Sequence, residues 1–139
     1  MNDPVSFWVP VQAAPKGSGR AVAAGVYLPG SSKVGQKRIA AFTLAVKWCA
    51  VAAMRGRAKF SPLTPIAVEL TFYLAKPKSN RDREPIRPPD LDKCVRACLD
   101  GLGAVIDDDA RVVEIVARKH WADDRGPGVT VVVAAAGAP

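Results

Sequence analysis

The chain has 139 residues, of which 49% are apolar, and a formal net charge of +7. This length suits one domain, and the apolar content excludes a wholly disordered protein. So strong a positive charge indicates a polyanionic partner, nucleic acid first and an anionic membrane second. The longest apolar stretch, Ile39 to Met54, is interrupted by Lys47 and is short for a membrane span, so we expect no membrane partner.

Three cysteines and a single histidine exclude two further classes of small protein. An odd number of cysteines does not make a disulfide framework, and His120 alone does not complete a zinc site. The first four residues have neither the charged nor the apolar block of a signal peptide. We therefore expect the protein to reside in a reducing cytoplasm.

The first quarter of the chain is predicted to contain one strand and a long basic loop. Residues 5–13 are expected to form the strand, and Pro10 favours a sheet edge or a bulge. The loop covers about residues 14–33 and includes a short strand at 24–28. Its lysines, Lys16 among them, either contact phosphate or lie on a solvated surface, and the sequence leaves both options open.

The middle of the chain is predicted to form a helix, a strand and a second basic loop. Apolar residues at three- and four-residue steps indicate a helix from Val34 to Arg55, packed on a sheet and ended by Gly56. Strict alternation indicates a strand from Pro65 to Ala75. The loop over about residues 76–88 carries five basic side chains and leads directly to an aspartate-rich motif.

The last third is predicted to contain a second helix and two strands. An apolar series from Leu91 to Leu102 indicates a helix with one buried stripe, ended by Gly101 and Gly103. Strands are expected over 111–121 and 129–135, joined by a hairpin-like turn. The second of these strands is apolar apart from Thr130 and is expected to be central in the sheet.

The order strand, helix, strand, helix, strand, strand defines the expected fold class. It predicts a small α+β domain with a mixed or antiparallel sheet packed by two main helices. One domain is expected to span residues 1–139, with a frayed tail over about 136–139.

Seven of the 13 acidic residues lie between Asp90 and Glu114, although the chain as a whole is basic. Clustered carboxylates repel one another and indicate a positive ligand, and hard carboxylate oxygens favour Mg²⁺. In a protein that attracts phosphate backbones, this combination predicts a metal-dependent phosphodiesterase with one metal ion or two. Asp90 and Asp92 at a helix start are, however, also ordinary capping residues.

Three features favour catalysis over capping. Asp92, Arg96 and Asp100 recur at four-residue steps on the face opposite the apolar stripe. The triplet Asp107–Asp109 precedes a predicted strand, where a fixed backbone can direct one side chain towards the helix start. The basic loop leads into the site, and Lys93 or Arg96 supplies a cation for the charge that develops on the phosphate.

Residues 88–114 resemble the RusA family of Holliday junction resolvases, small endonucleases of bacteria and their phages. The resemblance rests on Asp90-Leu91-Asp92-Lys93 at the helix start and on the sequence from Asp108 to Glu114. It extends more loosely to the Pro-Lys-Gly-Ser loop at Pro15–Ser18 and to the basic loop before the motif.

This resemblance implies that Asp90, Asp92 and Asp109 are catalytic acids that bind Mg²⁺, for which Mn²⁺ can substitute. Asp108 would be a further metal ligand and Asp100 a supporting acid. The resemblance also implies a homodimer whose two sites nick opposed strands of a four-way junction. The expected location is the cytoplasm of a bacterium or of a phage-infected bacterial cell.

The chain departs from the family pattern at three positions. Lys93 replaces an asparagine, Arg96 replaces a lysine, and Arg111 replaces a glutamine. Arginine keeps the charge of lysine, but its planar fork is not an equivalent point charge. Lys93 or Arg96 therefore takes over the cationic role, and the sequence does not choose between them.

Two other functions are compatible with the same residues. One keeps the nuclease site but acts on flaps or forks, because branch recognition depends on phosphate contacts that carry no sequence information. The other is a non-catalytic protein that binds junctions or other DNA and uses its acids as caps and turn residues.

Overall fold

A computed structural model describes residues 3–16, 21–22, 26–27 and 33–137. The described part is a small α+β domain, as predicted. Its elements are β1 (Val5–Val9), β2 (Ala21–Val22), β3 (Val26–Tyr27), α1 (Lys33–Ala53), β4 (Ile66–Leu74), α2 (Leu91–Leu99), a 3₁₀ turn (Asp109–Arg111), β5 (Val112–Trp121) and β6 (Gly128–Ala135).

The main sheet has four strands in the order β1-β6-β4-β5. β6 pairs antiparallel with both β1 and β4, whereas β4 and β5 are parallel. The sheet is therefore mixed, and α2 is the helix of a β4-α2-β5 crossover. β1 lies at an edge and ends before Pro10, which agrees with the edge position that the proline predicted.

The predicted hairpin between the last two strands is wrong. β5 and β6 lie on opposite sides of β4, so the segment between them crosses the end of that strand. The burial of the two strands explains why β6 lies inside the sheet and β5 at its edge. Val129, Val131 and Val133 of β6 are completely buried between two strands, whereas Val113 and Ile115 of β5 stay exposed at the sheet edge.

The core lies between the helices and one face of the sheet. β4 alternates between buried and half-buried residues along all nine positions, as its sequence predicted. α1 buries Phe42, Val46 and Ala50 against this face, and its predicted stripe is confirmed. Beyond the helix, Gly56 has a φ of +74°, a left-handed conformation that glycine adopts without a steric penalty.

The short helix α2 completes the core with two cysteines. Burial raises the pKa of Cys94 to about 11 and that of Cys98 to about 12. Both thiols therefore stay protonated at neutral pH and serve as small apolar side chains, as their spacing indicated.

Part of the first basic loop forms a two-stranded sheet of β2 and β3. The predicted short strand at 24–28 is confirmed for Val26–Tyr27, and its other residues lie outside the described part of the chain. So do the last two residues of the predicted frayed tail. Among the described residues, no helix is long and apolar enough to cross a membrane.

Gly101 is required by packing as well as by helix termination. A Cβ at this position would lie 2.7 Å from Val46 Cβ and 2.8 Å from the Thr43 carbonyl oxygen. We expect Gly101→Ala to lower the free energy of unfolding by about 1–3 kcal/mol, because α1 and α2 would be forced apart. Urea unfolding measures the loss. Gly103→Ala is the control, since its Cβ would meet no described atom within 4 Å, and equal stability of the two variants would contradict the prediction.

Candidate active site

α2 runs back along β5, so its start lies near the end of that strand. Lys119 of β5 donates hydrogen bonds from Nζ to the carbonyl oxygens of Pro89, at 2.9 Å, and Arg87, at 3.0 Å. Two residues further on, Trp121 Nε1 donates to the Asp82 carbonyl oxygen at 2.9 Å. The basic loop is therefore fastened to β5 at two points before it enters the helix.

Asp90 occupies the N-cap position of α2 in an extended conformation, yet its carboxylate makes no capping hydrogen bond. Its Oδ2 lies 3.2 Å from the Nζ of Lys93, and the Asp90 side chain is 54% exposed. Asp92 follows in the first turn and is also exposed. The capping interpretation therefore does not account for the Asp90 side chain. We call Asp90, Asp92 and Lys93 the start group.

The acidic triplet divides into three different environments. Asp107 Oδ1 pairs with Lys59 Nζ at 3.0 Å. Asp108 caps the 3₁₀ turn, because its Oδ1 accepts a hydrogen bond from the Ala110 N–H at 2.9 Å. Asp109 is the third member of the triplet. Burial raises its pKa, and the nearby charges of Asp100 and Asp108 raise that pKa further. We call Asp100, Asp108 and Asp109 the end group.

The two acid groups lie at opposite ends of α2. Asp92 and Asp100 are eight residues apart, which corresponds to a rise of roughly 12 Å along a helix. Among the described residues, no three acidic, histidine or cysteine side chains converge to hold a metal ion. The donor chemistry still suits a hard divalent cation, because every acid of both groups offers carboxylate oxygens. The crowding of negative charges around Asp109 also favours a bound cation at this end of the helix.

Lys16 connects the two ends of the helix. Its backbone N–H donates to the Lys93 carbonyl oxygen at 3.0 Å, and its ammonium forms an ion pair with Asp100 Oδ2. Lys16 also lowers the pKa of Asp109, against the effect of burial. The sequence predicted that this lysine contacts phosphate or lies on a solvated surface, and it did not connect Lys16 with the acids. The signal that could have found it is the Pro-Lys-Gly-Ser segment of the family resemblance.

The other two departures from the family pattern have different surroundings. Arg96 is exposed on the polar face of α2, and its side chain forms no ion pair with any residue that the structure describes. Arg111 instead points into the protein, where Nη2 donates to the carbonyl oxygens of Ser61 and Thr64. Its Nε and Nη1 are buried without a partner among the described atoms. Arg111 thus links the loop that contains Ser61 and Thr64 to the 3₁₀ turn that carries Asp109.

A cavity of about 680 Å³ is lined by the two prolines that precede Asp90. It lies between the N-terminal loop, the first turns of α1 and the segment Pro88–Pro89. Its lining includes Val11, Ala14, Val34, Arg38, Pro88 and Pro89. This volume lies in the range of small-molecule and nucleotide sites.

Comparison with known proteins supports the resemblance seen in the sequence. A family model described as endodeoxyribonuclease RusA matches residues 10–134, which is nearly the whole chain. The match includes both acid groups and Lys16. No curated protein matches the chain.

Proposed function

Because the chain belongs to the RusA endodeoxyribonuclease family, we propose that it is a Mg²⁺-dependent endonuclease that resolves four-way DNA junctions by paired nicks. The observation that carries this proposal is the state of Asp90. A carboxylate at a helix N-cap ordinarily accepts a backbone hydrogen bond, and this one does not. It is exposed beside a second acid and a lysine, at the point where a basic loop ends.

In this proposal Asp90, Asp92 and Asp109 would hold Mg²⁺ or Mn²⁺, with Asp108 as a further ligand and Asp100 as a supporting acid. Because the two acid groups do not converge among the described residues, shared binding of one ion would require them to approach each other. When bound, the ion neutralises phosphate charge and makes a water molecule more acidic. Hydrolysis forms one bond from the water oxygen to phosphorus and breaks the bond from phosphorus to a sugar oxygen. The water gives up one proton, and the leaving sugar oxygen gains one.

The chain's own cations have two tasks in this reaction. The ammonium of Lys93 compensates Asp90 in the free protein and must release that carboxylate when a metal ion binds. Arg96 stands on the same helix face without an ion-pair partner among the described residues, so it is available to a phosphate. The residues of the basic loop over about 76–88 hold the DNA backbone, since phosphate contacts orient a duplex without reading its sequence.

The test is cleavage of a labelled four-way junction beside a linear duplex of the same sequence, with Mg²⁺ or with EDTA. Paired nicks near the branch point that require Mg²⁺ support the proposal. Junction binding without cleavage under any divalent metal would overturn it. Flap and fork substrates in the same assay separate a junction resolvase from a nuclease of other branched DNA.

One observation favours a non-catalytic DNA-binding protein as the second candidate. The acids of the two groups do not converge in the described structure, and a lysine neutralises one acid in each group. A protein that only binds DNA does not need these acids to converge on a metal ion. Metal-dependent cleavage separates the two candidates, whereas salt dependence does not, because both bind DNA through basic residues.

Paired nicks require two sites related by a two-fold axis, so we propose a homodimer that forms through α1. Its outward face exposes large apolar side chains at helical spacing, with Leu44 50%, Trp48 60% and Val51 42% exposed. A 21-residue helix with one apolar face in the core and a second in solvent is typical of an interface. The same row on a second copy would pair with it about a two-fold axis.

Trp48→Glu is expected to convert the dimer into monomers, because it places a charge at the centre of this apolar row. Analytical ultracentrifugation at micromolar concentration measures the change in mass. The paired nicks should become single nicks at the same protein concentration. Leu63→Glu is the control, since Leu63 is 93% exposed and lies in the loop between α1 and β4, outside the apolar row of α1. A dimer that survives Trp48→Glu would exclude this face as the interface.

A further inference from the structure

We propose that Lys16, in the N-terminal loop, is the catalytic cation that contacts the scissile phosphate in the nuclease reaction. This proposal rests on the nuclease function proposed above and assigns one more residue to the same site. It concerns a lysine far from the acidic motif in sequence, 84 residues before its partner Asp100.

Two contacts hold Lys16 on the polar face of α2. The backbone hydrogen bond to the Lys93 carbonyl oxygen, at 3.0 Å, fixes its position beside the start group. The ion pair with Asp100 draws its ammonium towards the end group. The Lys16 side chain therefore lies between the two sets of acids, and it is still 47% exposed to an incoming ligand.

The other cations near the acids are placed less well for this role. Lys93 is paired with Asp90 within the same helix turn. Arg96 projects from the exposed face and offers a planar fork rather than a compact charge. Lys16 is the cation whose charge acts on Asp109, the acid with the most crowded surroundings.

The chemistry of an ammonium suits this position. Lysine carries three donors on a flexible stem, so it can leave Asp100 and turn towards a non-bridging phosphate oxygen without a change in the backbone. It donates hydrogen bonds in this role and gives up no proton. Its charge offsets the negative charge that develops on the phosphate as the water oxygen approaches, and Asp100 is the positioning residue that keeps it in place.

The experiment compares Lys16→Met with Lys59→Met in full-length protein. Lys59 pairs with Asp107 and is 48% exposed, so the control removes an equally exposed lysine from an aspartate of the same motif. Single-turnover cleavage of a four-way junction at saturating protein and Mg²⁺ measures the chemical step, and fluorescence anisotropy in EDTA measures junction binding. We expect Lys16→Met to slow cleavage by about a hundredfold, with junction affinity changed no more than in the control.

Two further measurements separate this role from simpler ones. Calorimetric titration of DNA-free protein with Mn²⁺ should show tighter metal binding in Lys16→Met, because a competing cation has been removed from the acids. Lys16→Arg keeps the charge and should recover part of the rate. Thermal melting checks that each variant is folded, and Lys16→Arg serves as the test if Lys16→Met does not fold.

The outcomes distinguish the proposals. If wild type cleaves and Lys16→Met matches Lys59→Met in rate, the role of Lys16 is overturned while the nuclease function stands. If Lys16→Met loses affinity and rate by the same factor, Lys16 is only a ground-state phosphate contact, and the inference also fails. If wild type cleaves no branched DNA with any divalent metal, both proposals fall together.

Discussion

Asp92→Asn is expected to lower junction cleavage by at least about a hundredfold while junction binding is unchanged or tighter. The amide has the shape of the carboxylate but lacks the charge that a hard divalent cation requires. Asp92 is exposed on the polar face of α2 and lies outside the core, so the fold should tolerate the change. Its favourable interaction with the helix dipole is worth only about 0.3–1 kcal/mol.

Asp124→Asn is the matched control for this variant. Asp124 is an exposed acid in the turn between β5 and β6, far from α2 in the sequence. Single-turnover cleavage and anisotropy with the same labelled junction compare the two variants with wild type. A rate for Asp92→Asn within threefold of the control would remove Asp92 from the metal site, although the protein would still be a nuclease.

The fold was predictable from the sequence wherever one periodicity decided it. β4 alternates without interruption, so its length and its buried face follow directly from the pattern. The pairing of β5 did not follow, because the local sequence of two strands joined by a short turn fits a hairpin equally well. Competition for the central position decided it. β6, which is apolar apart from Thr130, gains more from two neighbours than β5, which has the exposed residues Glu114 and Arg118.

The candidate site was predictable in composition but not in arrangement. The sequence brought the acids onto one helix and one turn, and the structure agrees with those elements. The sequence did not predict the different environments of Asp107, Asp108 and Asp109. Adjacent residues of one type are distinguished only by the backbone conformation at each position. The contacts of Lys16 with α2 were not predicted for a related reason. Its partners are Lys93 and Asp100, and contacts over such distances in sequence leave no periodic signal.

Lys119→Met is expected to reduce cleavage by about ten- to hundredfold, because it releases the loop that positions Asp90. The ammonium of Lys119 bonds to the carbonyl oxygens of Arg87 and Pro89, and Pro89 directly precedes Asp90. Methionine has a similar length but donates nothing. Loss of these charge-assisted bonds should lower the free energy of unfolding by about 1–3 kcal/mol. Limited trypsin digestion should then cut the basic loop over 76–88 faster than in wild type.

Arg118→Met provides the comparison, since it removes the same charge from the neighbouring residue of β5. Arg118 Nη1 lies 3.6 Å from Glu69 Oε2, and both side chains are about half exposed, so this pair contributes little to stability. If Lys119 acts by fastening the loop, the two variants will have similar DNA affinity but different rates and different trypsin sensitivity. Equal effects in both would mean that β5 contributes only positive charge to DNA binding, and the position of Asp90 would then depend on α2 alone.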